Sequence, residues 1–148
     1  MKKPNLSHVV IVALGVLLGA CKGSSVTPVS ERIAKSWTAS IVKENSTVVY
    51  TKGLTSTKPG YSNFKLTLSS TNSATLTEFD GNTFTGTWAL SSDEKTLTLS
   101  GLSPQPTGTG GSIAYNITTF EDTKMQLART SASQKTGGSI NDYTLTNP

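Results

Sequence analysis

The sequence predicts an all-β protein: a single antiparallel up-and-down β-barrel of eight or nine strands, preceded by one short N-terminal helix. Three observations carry that expectation. Ser and Thr are abundant, 20 and 24 of 148 residues, and Thr together with the aromatic residues favours strands over helices. Beyond Lys35, large apolar residues recur at alternate positions in short runs, which is the period of a half-buried strand. Gly, Pro, Asn and Asp punctuate those runs at short intervals, so neighbouring strands are expected to pair as antiparallel hairpins. Only 34% of the residues are hydrophobic, too few for a large multilayer core, and the length fits one domain.

Residues 1–20 read as a leader. Met1-Lys2-Lys3 is basic, Val9 to Leu18 is an apolar run, and Gly19 and Ala20 are small, the order of a secretory signal. The run is too short to serve as a permanent membrane span. The tetrad Leu18-Gly19-Ala20-Cys21 resembles the lipobox of bacterial lipoproteins. That resemblance implies cleavage before Cys21 and acylation of Cys21, so that membrane lipid anchors the mature chain; two or more acyl chains make such an anchor stable. By the same analogy, Lys22 in place of aspartate favours the outer membrane. The missing acidic run after Cys21 favours its periplasmic face. Cys21 is the only cysteine, so no disulfide supports the domain.

Residues 21–30 are expected to form a tether, short of large apolar groups, and residues 31–148 the barrel domain. Thr27-Pro28 is expected to start the helix, with Pro28 at its first position and Glu31 to Lys35 continuing it. Strands are expected near residues 36–42, 46–51, 63–69, 74–79, 83–91, 95–100, 112–119, 124–129 and 140–146. Turns are expected at 58–60, 70–72, 80–82, 92–94, 121–122 and 137–138, and residues 103–111, with two prolines and three glycines, read as a mobile loop. Parity gives partial register. A four-residue turn at 92–95 sets Leu90 opposite Leu97 and Trp88 opposite Leu99, with Phe84, Gly86, Trp88 and Leu90 on one face. The strand before it has two solutions: a two-residue turn places Phe79 on the Trp88 side, and a three-residue turn places Ala74 and Leu76 there. Ile113, Tyr115 and Ile117 share a face, as do Met125 and Leu127, and Tyr143 and Leu145.

The segment Gly86-Thr87-Trp88-Ala89-Leu90-Ser91-Ser92-Asp93-Glu94-Lys95-Thr96-Leu97-Thr98-Leu99 resembles the lipocalin-like domains of Bacteroidetes envelope lipoproteins, which carry a Gly-x-Trp strand, an acidic turn and a Leu-x-Leu strand. Ile117 to Leu127 looks like their penultimate hairpin, and Trp37 lies where their first strand usually carries a tryptophan. The resemblance implies a lipocalin/calycin-like barrel whose ligand, across much of the family, is undefined. True lipocalins have Gly-x-Trp at the first strand, whereas this chain has Lys35-Ser36-Trp37.

The available side chains restrict the chemistry. His8 is the only histidine and lies in the leader, so a mature domain has no Ser-His-Asp triad, Cys-His pair or His/Cys metal site. No catalytic residue, metal site or cofactor is expected. The alternating pair Glu78 and Asp80 is read as a strand end rather than a hydrolytic pair, and Asp80-Gly81-Asn82 as a hairpin turn rather than a calcium loop. Beyond the leader, 11 basic and 9 acidic residues show no concentrated patch, which argues against nucleic acid. Trp88 and Tyr115 are the candidate ligand-binding residues, although core packing is the commoner role of such rings. Two function classes fit: a non-enzymatic carrier or sensor of a small, mostly apolar ligand, and an accessory lipoprotein with a filled barrel that binds another envelope protein. The sparse large residues expected on the inward faces, with Gly86 among them, favour the first.

Overall fold

Alternation becomes wall and core most plainly on β3 (Lys65–Leu68) and β4 (Ser73–Thr77), where Leu66, Leu68, Ala74 and Leu76 are buried and the threonines between them point away. The computed structural model describes residues 27–147. The leader, Cys21 and the tether up to residue 26 lie outside the described residues. Helix α1 (Val29–Arg32) leads into β1 (Ser36–Glu44) and β2 (Thr47–Thr51). After β3 and β4 come β5 (Thr83–Leu90), β6 (Thr96–Ser103), β7 (Ile113–Phe120), β8 (Lys124–Arg129) and β9 (Asn141–Thr146). All nine expected strands are present. The helix is shorter than expected: Pro28 caps it from outside the first turn, with extended ψ of 148°, and it ends at Arg32.

From β3 to β9 each strand pairs antiparallel with the next, and β1 pairs with β9 to close the sheet. On its other edge β1 gives its first half to β3 and its second half to β2. The result is a closed eight-stranded barrel with β2 as an extra strand. The register expected for β5 and β6 is found, with Trp88 opposite Leu99 and Leu90 opposite Leu97. Between β4 and β5 the three-residue turn holds, with Leu76 opposite Phe84 and Ala74 opposite Gly86. Glu78 N–H donates to the Asn82 carbonyl at 2.9 Å, and Gly81 supplies the left-handed residue such a turn needs, at φ 84°.

β6 runs to Ser103 rather than stopping at residue 100, because a bulge at Gly101 resets its phase. Leu97 and Leu99 are buried, and the extra residue brings Leu102 inward as well. Gly86 lies under this bulge, where a Cβ would stand 2.4 Å from the Ser100 carbonyl oxygen. The segment after β6 is a built turn. Pro106 is buried, Thr109 N–H donates to the Pro106 carbonyl, and Leu102 N–H reaches Gly111 at 2.9 Å.

The two barrel ends differ. At the helix end, fully buried Ile33 and Trp37 close the wall, and Trp37 Nε1 donates to the Ile33 carbonyl at 2.9 Å. Phe120 meets the Trp37 ring edge-on at 6.1 Å, and Arg32 lies over Phe120 while pairing with Asp122. The connections there are short, including 69–72 and 91–95. At the loop end three connections are long: 52–64 with a 3-10 turn at Pro59–Asn63, 104–112, and 130–140. The inward faces are not sparse. Tyr50 from β2, and Tyr61 and Phe64 from the segment before β3, fold into the interior beside Tyr143. These rings fill space that strand parity alone would leave open.

Candidate ligand site at the loop end of the barrel

The polar residues that are buried all lie toward the loop end: Glu78, Arg129, Ser133, Ser139 and Asn141. Strand register brings the central ones together. Glu44 pairs with Asn141, and Tyr115 pairs with Arg129. Ala128 pairs with Asp142, so Arg129 and Asn141 occupy the next step of the same ladder. Glu44, Asn141, Arg129 and Tyr115 thus form one row across β1, β9, β8 and β7. Arg129 shares the inward parity of Met125 and Leu127.

Most of this cluster is mutually satisfied. Glu44 accepts from Lys58 Nζ at 2.5 Å and from the Tyr61 hydroxyl at 2.7 Å. Asn141 Nδ2 donates to the hydroxyls of Tyr61 and Tyr143, and its Oδ1 accepts from Ser139 at 2.6 Å. Lys135 bridges Asp80 Oδ2 at 2.8 Å and Glu78 Oε2 at 2.6 Å, and lies over the Phe84 ring. Among the described residues Arg129 Nε is buried without a hydrogen-bond partner, whereas Glu78 Oε2 is held by the Lys135 ammonium.

Three phenols are buried among these groups. Burial pushes Tyr143 up to about 12, partly opposed by the Asn141 hydrogen bond and the Arg129 charge. Burial also raises Tyr115 well above the ordinary phenol value, and the Arg129 charge opposes that too. Tyr61 is raised by burial first, then by Tyr143 and by its hydrogen bond to Glu44. All three phenols are therefore neutral donors and acceptors at neutral pH.

Of the two ligand candidates, the structure places them apart. Tyr115 lies toward the loop end, 1% exposed, with Tyr143 edge-on at 6.1 Å. Trp88 is buried toward the helix end, where its Nε1 donates to the Ser69 carbonyl at 2.9 Å. Glu78 and Asp80 do converge, on Lys135 rather than on each other. The Asp80 carboxylate also accepts from Asn82 backbone and side chain, as a hairpin turn requires. Sequence reading missed Arg129, Asn141, Glu44, Tyr61 and Lys135. A signal for the first two existed: Arg129 is two residues past Leu127 and Asn141 two before Tyr143, both at inward parity.

Concavities mark the surface of the described residues. One, of about 260 Å3, opens at the loop-end mouth between Asn82, Thr83, Phe84, Gln105 and Lys135. Another, of about 190 Å3, lies on the outer wall, lined mainly by Lys43, Thr118, Gln126, Asp142 and Thr144. Among the described residues no cluster of three or more His, Cys, Asp or Glu side chains could hold a metal ion, and no helix is long and apolar enough to cross a membrane.

No protein-family model matches the chain, and no curated protein matches it. Among solved structures it is similar to a lipocalin-like protein from Bacteroides uniformis, at 11% identity and a TM-score of 0.52, covering 79% of this chain and 99% of that one. It is also similar to an uncharacterized protein from Bacteroides eggerthii, at 13% identity and a TM-score of 0.49, covering 78% and 98%. At such identity the first likeness speaks to the fold alone, and the fold is lipocalin-like.

Proposed function

We propose that the chain is a lipid-anchored, non-enzymatic binding protein of the cell envelope that takes a small ligand at the loop end of its barrel. In this reading acylated Cys21 holds it to the outer membrane, on the periplasmic face. Trp88 packs the barrel, and Tyr115 lines the ligand chamber. One observation carries the reading: among the described residues, Arg129 Nε is buried in the barrel without a hydrogen-bond partner. Such groups are costly in a core, and they are retained where a ligand or its water completes them.

A second reading has its own support. Below Tyr143 the interior is filled by Trp37, Leu66, Leu76, Leu97, Leu99 and Met125, all fully buried. That favours an accessory lipoprotein whose outer wall meets another envelope protein. Native mass spectrometry of protein purified from its source membrane separates the two. A co-purifying small molecule that is lost in Tyr115→Ala is the expected outcome. A ligand-free chain with one specific envelope protein retained would move the assignment to the accessory reading. The same spectrum tests the anchor, since an unmodified Cys21 or a start elsewhere would remove it.

A further inference from the structure

Among the described residues, the interior charges of the loop end divide into pairs with one remainder. Glu44 is matched by Lys58, and Glu78 by Lys135, which also holds the partly exposed Asp80. Arg129 is 5% exposed and takes part in none of the ion pairs. Its Nε is buried without a hydrogen-bond partner. A guanidinium cannot shed its proton to escape this, as a buried lysine can. Its planar fork is shaped for a carboxylate or phosphate group.

We infer that Arg129 anchors an anion site, and that the chamber takes one singly charged acidic group carried on a small apolar body. Tyr115, its cross-strand partner, and Tyr143 supply neutral hydroxyls and aromatic faces beside it. Leu127, Leu99 and Ile113 supply the apolar surroundings. Lys135 lines the 260 Å3 mouth and contacts buried Glu78. The inference rests on the binding reading above and gives that reading its ligand class.

Calorimetry of the full chain in a neutral detergent tests it with three probes: octanoate, octanol and inorganic phosphate. Octanoate is expected to bind about tenfold more tightly than octanol, a modest return for one charge-assisted contact. Arg129→Met should erase that preference, and Arg129→Lys should restore part of it. Phosphate binding that Arg129→Met abolishes, without an octanoate preference over octanol, would keep the anion site and overturn the apolar body. Equal binding of octanoate and octanol, with no response to phosphate, would overturn the anion site and leave the binding reading standing. If none of the three binds the wild-type chain, both readings fall. The wild-type comparison decides the question even where Arg129→Met does not fold.

Discussion

The helix end and the loop end close the same barrel in different ways. At the helix end the closing groups are apolar rings and Ile33, sealed on the outside by exposed charges such as the Arg32–Asp122 pair. At the loop end the closing groups are phenols, an amide, two glutamates and an arginine, and hydrogen bonds join part of the set, from Lys58 through Glu44, Tyr61 and Asn141 to Tyr143. Apolar packing is non-directional, so the helix end gains stability from area removed from water. A polar interior is worth little unless every member is satisfied, and here Arg129 Nε is not. One end therefore reads as foundation, and the other as the place where stability has been given up.

The largest expected effects break the helix end. Trp37→Ala should cost about 3–5 kcal/mol, as truncation of a fully buried aromatic does, and Trp88→Ala about the same. Urea denaturation measures both. Neither variant should alter the octanoate preference under conditions where it remains folded. A loss below about 1 kcal/mol would place the ring at the surface and end the distinction between the barrel ends.

Gly86→Ala probes the wall between them. The added Cβ meets backbone, the Ser100 carbonyl at 2.4 Å, so the bulge itself must move. A cost of about 1–3 kcal/mol is expected from such overpacking, read as a lower denaturation midpoint with an unchanged slope. A neutral variant would mean that the bulge is not fixed by this contact.

Tyr61→Phe sharpens the comparison from the loop end. It removes the hydroxyl that donates to Glu44 and accepts from Asn141, leaving both short of a partner. The expected cost is about 1–3 kcal/mol, the penalty for orphaned buried polar groups. Alkali should attack the same end. Tyr143 is held up to about 12 against an ordinary 10.0, so its contribution is fully present below pH 10 and is lost as the pH rises through about 12. Tyrosinate absorbance should therefore appear together with unfolding, and ionisation of the buried phenols in a still-folded chain would contradict their burial.

The helix end was more legible than the loop end because it depends on periodicity. Alternation placed Trp88 opposite Leu99 and marked nine strands, since a one-residue slip would turn a whole face outward. Where a bulge changes the phase, parity stops predicting: Leu102, and Val42 on β1 past its irregularity at Ala39–Ile41, are buried out of step. The loop end depends on long connections, whose paths local pattern does not specify. Tyr61 lies in a 3-10 turn and Lys135 in another, and nothing near either in sequence shows that they meet Glu44 and Glu78. Tyr115 was readable as a strand residue beside a loop; its partner Arg129 was readable only if an inward charge is taken as a signal.

The smallest expected effect concerns the bridge over the mouth. Burial alone would raise the Asp80 carboxyl, but hydrogen bonds from Lys135 and Asn82 outweigh it and hold the group below its ordinary 3.8. Burial would lower Lys135, but its bonds to Asp80 and Glu78 outweigh that and hold it above 10.5. The depressed acid contributes stability above pH 3.8 and loses it as the pH falls through its folded value. The raised base contributes below pH 10.5 and loses it as the pH rises through its folded value. Asp80 is one-third exposed, so Asp80→Asn should cost under about 1 kcal/mol. The difference in melting temperature between wild type and variant should stay level between those two pH values and close beyond each of them. A difference that changes near neutrality would assign the bridge to some other titrating group. A level difference with an unchanged octanoate preference would separate the bridge from the anchor beneath it.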